Sequence, residues 1–187
     1  MSIAVDIPTE RMSIEQFIAW AEQADPGRCE LVDGRVVKLS PERARHWSVK
    51  QCIWLAFREA IRSQGLDAYA AVDGPSIATG PRKMRQPDVI LQSRPSDWDS
   101  VFSDHPIIVV ELISPSTGKT DAVAKFEEYF SVETIQHYLI VDPDQRSVVH
   151  HAKGSNGWRT QIIHEGTLLL DPPGLTVNVD TFFEELN

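Results

Sequence analysis

Residues 84–130 read MRQPDVILQSRPSDWDSVFSDHPIIVVELISPSTGKTDAVAKFEEYF. Two apolar runs in this stretch, 87–91 and 107–113, carry one acid each, Asp88 and Glu111. The second run is almost continuously β-branched, the pattern of a central strand buried on both faces. The polar residues 94–104 between the runs read as a loop. Thr120 or Asp121 can cap a helix that runs to about residue 131 and carries Lys125. An unpaired carboxylate is costly to bury, so an acid inside an apolar strand needs a partner. A divalent metal ion is one such partner, and two convergent carboxylates suit a hard cation such as Mg2+. A lysine beside them can stabilise charge on a phosphoryl group. The stretch therefore points to metal-dependent cleavage of a phosphodiester.

Side chains alternate between the faces of a strand. Glu111 and Ile113 share one face, and Val110 and Leu112 share the other. If the two strands are neighbours, Asp88 and Glu111 meet near one end of the sheet. The same residues also allow a purely structural role, with Asp88 capping a turn after Pro87 and Glu111 paired to an arginine. On the downstream helix Asp121, Lys125, Glu128 and Tyr129 lie on one face. A solvated Asp121–Lys125 pair is the alternative use of that lysine.

Outward from this stretch, residues 13–23 show helical spacing, with Ser13 as N-cap and Gln16 completing a capping box. Residues 29–39 read as a hairpin around Asp33-Gly34. Glu30 lies on its first strand. Residues 43–64 form the longest helix, starting near His46 and Lys50, with Gly65 as its stop. Its Trp47 and Trp54 are expected in the core. Residues 68–77 resemble one strand with a Gly-Pro break. A further strand covers 137–141. Residues 147–152 and 158–164 form a second hairpin, joined by a loop at 153–157. A tail at 168–183 adds a short strand. His150-His151 is an isolated pair with no assigned role. The order of elements is that of a mixed α/β (α+β) domain with a central sheet flanked by helices. The expectation is a single domain over 1–187, with 1–11 as a loose tail.

Composition narrows the function. The chain has 187 residues, 42% of them hydrophobic, and its 12 prolines are scattered. That excludes a low-complexity or disordered chain. No apolar run reaches membrane-spanning length, and the N-terminus MSIAVDIPTERM lacks the pattern of a signal peptide. Cytoplasmic residence without a membrane partner is the expectation. Cys29 and Cys52 have neither CxxC spacing nor histidines at zinc-ligand spacing, so two reduced structural thiols are expected. The formal charge of −9 argues against broad electrostatic capture of nucleic acid. A local basic patch remains compatible with it. Arg82, Lys83 and Arg85, just before Pro87-Asp88, offer such a patch, either as phosphate contacts or as a solvated loop.

Six pieces occur in order: ELVDG (30–34), LSP followed by His46, PDV (87–89), VELISPST (110–117), DxxxKxxxY (121–129) and YLIVDP (138–143). Together they resemble the Uma-two family of restriction-endonuclease-like proteins, in the PD-(D/E)XK phosphodiesterase superfamily. The resemblance covers about residues 12–183. It implies a restriction-endonuclease-like core, with Asp88 and Glu111 as ligands of Mg2+, which Mn2+ can replace. It also implies a nucleic-acid substrate, DNA above all. Cutting both strands of a duplex commonly needs two active sites, so a homodimer is a further expectation. The superfamily's lysine usually lies two residues after the second acid, where this chain has Ile113. The family pattern offers Lys125 on the following helix instead. Glu30 matches a family acid near the metal, and His46 a family histidine. The implied activity is that of an endonuclease. The alternative is a nuclease fold that has lost catalysis and serves as a binding or assembly module, in keeping with Ile113 and the net negative charge.

Overall fold

The structure is a computed structural model that describes residues 6–113, 118–155 and 157–186, with side chains at 118–124 left out. Its layering follows from alternation along two strands. Strands β6 (Val89–Gln92) and β7 (Pro106–Leu112) pair antiparallel, with Val89 opposite Val110. Val89, Leu91, Ile108, Val110 and Leu112 belong to one core cluster, and Ile90 and Val109 to another. Both faces of the sheet are therefore covered, which is why the 107–113 run has no polar side chain except Glu111.

The described residues place these strands inside a six-stranded sheet. Its order is β10 (Gly157–Ile163), β9 (Ser147–Gly154), β8 (His137–Asp142), β7, β6, β3 (Tyr69–Val72). Strands β7 and β8 run parallel, and the other neighbours antiparallel. A parallel pair needs a crossover, and helix α3 (Gly118–Ser131) supplies it. Its Tyr129 and Phe130 pack with Val109 and Tyr138 on one face. Helix α2 (Ala44–Gln64) covers the other face with Val49, Ile53, Phe57 and Ala60. The C-terminal hairpin β11 (Thr167–Leu170) and β12 (Leu175–Asn178), with the 3-10 helix Val179–Leu186, completes that layer. There Phe182 meets Phe57 edge to face at 6.2 Å.

A second sheet of four strands has the order β2 (Arg35–Lys38), β1 (Cys29–Val32), β5 (Lys83–Arg85), β4 (Ile77–Gly80). Helix α1 (Ile14–Ala24) closes over it, with Phe17 against Leu31 and Met84. The expected capping box is present: Ser13 accepts from the Gln16 N–H, and the Gln16 side chain accepts from the Ser13 N–H. Gly65 ends α2 in the left-handed region, at φ 66°. Both cysteines are buried and free.

Four expectations are corrected. The 68–77 strand is two strands, β3 and β4, in different sheets, because the Gly-Pro pair redirects the chain between them. The basic run at 82–85 is a solvated turn only at Arg82, since Lys83, Met84 and Arg85 form β5. The tail is a hairpin followed by a 3-10 helix rather than one strand. Trp47 is 55% exposed rather than core. Trp47 and Trp54, seven apart, lie within about 20° of each other on the helix, but that face is turned away from the buried stripe of Val49, Ile53, Phe57 and Ala60. The Thr120 or Asp121 cap and the Asp121–Lys125 pair lie outside the described side chains. No described helix is long and apolar enough to cross a membrane.

His150 is not incidental. It is buried in β9 against His137 on β8. His137 Nε2 lies 3.0 Å from the Pro172 carbonyl, so it donates. His137 Nδ1 must then accept from His150 Nε2, 2.9 Å away, and His150 Nδ1 accepts from the Gln161 amide at 3.0 Å. This chain of donors requires both rings neutral. Burial lowers both, His150 to about 4. An unfolded histidine titrates near about 6.5, so the pair's contribution is complete above that pH and is lost as pH falls toward about 4. Urea unfolding at several pH values is expected to show wild-type stability falling through this window, and His150→Gln falling less steeply.

Candidate active site

Continuing the β6–β7 register one step beyond Val89–Val110 sets Asp88 opposite Glu111. Both acids are buried. Asp88 is fixed by the backbone, since its Oδ2 accepts from the Leu112 N–H at 2.8 Å. Its Oδ1 faces Lys50 Nζ at 3.7 Å and Arg28 Nη2 at 3.9 Å. Glu111 is gripped from α3 by residues four apart, which one helix face presents together. Tyr129 donates its hydroxyl to Oε1 at 2.5 Å, and Lys125 donates to Oε2 at 3.1 Å.

Lys125 also lies 3.7 Å from Glu30 Oε1. Glu30 is held in turn by Arg85 Nη1 at 2.8 Å and by the Gln86 N–H at 3.1 Å. His46 enters from the first turn of α2. Its Nδ1 meets the Glu42 carboxylate, and its Nε2 lies 3.2 Å from the Leu112 carbonyl and 3.8 Å from Asp88. The structure thus brings Asp88, Glu111, Lys125, Glu30 and His46 to one cleft, roofed by residues 39–46 and 143–144.

The electrostatics of the cleft are uneven. Burial pushes Glu111 up to about 7; Lys125 pulls it down, while Asp88 and Glu30 push it further up. Burial also raises Asp88, against the opposing pull of His46, the Leu112 N–H, Lys50 and Arg28. At Glu42 burial also acts upward, but hydrogen bonds from Lys50 and His46 outweigh it and hold that carboxyl below its usual range. At the two acids of the cleft floor burial outweighs the cationic neighbours, whereas at the rim acid the cationic partners win.

The basic run contributes differently from either sequence reading. Arg85 is 4% exposed, its guanidinium held between Glu30 and Glu128. Lys83 bridges Asp33 at 3.3 Å and Glu128 at 3.1 Å, and Arg82 is exposed. None of the three lines the cleft. Among the described residues its lining cations are Arg28, Arg43, Arg45 and Lys125. Sequence reasoning did not single out Arg28, Glu42 or Asp73. Asp73 follows β3 with φ 47° and binds Arg28 and Lys50, a placement with no motif to announce it. Tyr129 was placed on the Lys125 face without a partner, and the register of β7 supplies one.

The sequence profile described as "Putative restriction endonuclease", Uma2, matches residues 14–181. The chain belongs to the Uma2 family. Among curated proteins, this Uma2 chain is 25% identical over 183 residues to "Uncharacterized protein slr1290" of Synechocystis sp. (strain ATCC 27184 / PCC 6803 / Kazusa). That match covers 96% of this chain and 95% of the relative. Among solved structures, a protein of Anabaena variabilis ATCC 29413, described as a putative nuclease belonging to DUF820, superposes with a TM-score of 0.73. The superposition covers 94% of this chain and 99% of that one, at 15% identity. At that identity the likeness establishes the fold, a central mixed sheet flanked by helices, which agrees with the expected class.

Three acid or imidazole groups of this Uma2 protein, Glu42, His46 and Asp88, bring ligand atoms within 4.8 Å of one another and form a group able to hold a metal ion. Glu111, which the sequence paired with Asp88, is not a member of that group and is bonded instead to Lys125 and Tyr129 of α3.

Proposed function

We propose that this protein is a metal-dependent nuclease that hydrolyses phosphodiester bonds in DNA, with Mg2+ held by Asp88 and Glu111. One observation carries the reading: two buried carboxylates stand opposite each other on central strands, both held above their usual range by burial. Convergent buried carboxylates whose ionised form is disfavoured by burial are a donor set that a hard cation completes. The cation would supply a Lewis acid that polarises the phosphodiester and acidifies the attacking water.

The chain's own residues position the rest. The Leu112 N–H fixes the Asp88 carboxylate, and Tyr129 fixes that of Glu111, so neither has to reorganise. Lys125 is aimed at the same place from α3 and can donate to a non-bridging phosphate oxygen as charge builds there. Glu30, itself held by Arg85, keeps that ammonium in register. Arg43 and Arg45 at the mouth offer charge to the substrate backbone, so a chain of net charge −9 can bind DNA locally. In the reaction a water gives up a proton to solvent and its oxygen bonds to phosphorus, the bond from phosphorus to the ester oxygen breaks, and that oxygen takes a proton from solvent. Two copies of the chain would cut both strands of a duplex.

The test uses supercoiled plasmid, single-stranded DNA and RNA with Mg2+ or Mn2+. Wild type is expected to cleave DNA and to stop on chelation. Asp88→Asn, folded by circular dichroism, is expected to lose at least about a hundredfold in rate, because metal catalysis contributes several kcal/mol. Cleavage unchanged in that variant sinks the assignment. DNA binding without cleavage under any divalent ion favours a binding module instead.

A further inference from the structure

Lys50 has no role in the mechanism above, yet it is the most enclosed charge near the cleft, fully buried in α2. Lysine is almost never fully buried without partners. Here the ammonium is surrounded by carboxylates. Glu42 Oε1 lies at 2.6 Å, Asp73 Oδ1 and Oδ2 at 2.8 and 2.9 Å, and Asp88 Oδ1 at 3.7 Å. Glu42 and Asp88 are also two members of the group whose ligand atoms converge within 4.8 Å. The surroundings of Lys50 Nζ are thus those of a hard cation, several oxygens converging from different elements.

We propose that Lys50 occupies a second cation position of this site, so that a tethered ammonium, and not a second divalent ion, holds Glu42, Asp73 and Asp88 there. The part that concerns catalysis rests on the nuclease reading. The occupancy itself rests on the contacts of Lys50. In two-metal phosphodiesterases a pair of cations clamps the reacting phosphate. Here Asp88 stands between the two cation positions: Glu111 lies across the strand pair, and Lys50 faces Oδ1 from α2. The arrangement is close to charge balance, with Lys50 and Arg28 against Glu42, Asp73 and Asp88. A dication entering that cage would meet a fixed positive charge within a few ångströms and would be repelled. Lys50 is then a positioning residue, which holds Asp88 and keeps the site to one metal ion.

The experiment is Mn2+ titration by calorimetry, with the spin-resonance signal of bound Mn2+ as second readout. It compares wild type, Lys50→Gln, Lys50→Arg, Glu111→Gln and the double variant Lys50→Gln/Glu111→Gln. One ion is expected for wild type and for Lys50→Arg, two for Lys50→Gln, none for Glu111→Gln and one for the double variant. Folded Lys50→Gln that binds the wild-type number of ions overturns the inference. If Lys50→Gln is unfolded without metal, added Mn2+ is expected to restore its thermal midpoint, and failure to do so overturns the inference equally. Wild type that binds no ion while Lys50→Gln binds one refutes the Asp88–Glu111 metal site and leaves the Lys50 inference standing.

Discussion

Glu111→Gln is expected to lose Mn2+ binding and cleavage, and yet to be more stable than wild type when metal-free at pH 8. The gain follows from the place of Glu111 in the sheet. Its carboxyl is buried at the end of β7, and burial raises it to about 7 from a usual 4.5. A group whose folded pKa is raised contributes fully below its unfolded pKa, and that contribution is lost as pH rises through the folded pKa. At pH 8 the metal-free fold therefore contains an ionised carboxylate that its surroundings disfavour. At about 1.36 kcal/mol per unit, the ceiling on that penalty is on the order of 3 kcal/mol. For a domain of this size that corresponds to a rise of several degrees, about 2–4 °C per kcal/mol. The amide keeps the Lys125 bond through its oxygen, while its NH2 donates to the Tyr129 oxygen, reversing the bond that tyrosine makes to the carboxylate. The gain is expected to shrink below pH 7 and to vanish near pH 4.5. Scanning calorimetry of both proteins in chelator at pH 5 and pH 8 checks it. A variant less stable than wild type at both pH values refutes the claim that this carboxylate is held against its own solvation.

The same shift fixes the pH dependence of metal binding. Below about 7 a proton competes for Glu111, so wild-type affinity for Mn2+ is expected to rise between pH 6 and pH 8 with release of protons. Stability and function thus oppose each other at one residue: the charge that destabilises the metal-free fold is the one a cation needs.

The legible parts of the site were those written in local pattern. Asp88 and Glu111 stand out because an acid inside a β-branched run is rare, and one step of register joins them. Lys125 is legible because a capping signal and helical spacing follow the second strand, and because DxxxKxxxY (121–129) belongs to the resemblance. The large sheet was legible because its central strands are long and apolar. The small sheet was harder. Strand β5 is only Lys83–Arg85, two of its three residues are basic, and nothing in three residues separates a strand from a loop. The cage around Lys50 was not legible at all. Glu42 precedes α2, Asp73 follows β3 and Arg28 precedes β1, so their meeting depends on how two sheets and a helix converge. Trp47 misled because a heptad looks like a buried stripe until the stripe's true members, Val49, Ile53, Phe57 and Ala60, are seen.

Arg85→Met is expected to be the most destabilising single change in the small sheet, with no nucleic acid present. The guanidinium joins three elements. Nη1 donates to Glu30 on β1 at 2.8 Å, and Nε and Nη2 donate to Glu128 on α3 at 2.7 and 3.1 Å. Methionine fills much of the space and leaves Glu30, 3% exposed, without that donor. Breaking a buried pair by removing one partner costs about 3–5 kcal/mol, because the remaining charge is uncompensated. The thermal midpoint should fall by roughly 10 °C at 2–4 °C per kcal/mol. Arg85→Lys should recover only part, since an ammonium cannot reproduce the two-sided fork. A phosphate contact predicts the reverse, with stability intact and DNA affinity reduced. The loss should also reach the active site, because Glu30 touches Lys125 at 3.7 Å and Glu128 lies one turn from it on α3. Glu30→Gln/Arg85→Met removes the stranded charge with its donor and should recover much of the midpoint. A double variant no more stable than Arg85→Met would show that packing, and not the uncompensated carboxylate, sets the cost.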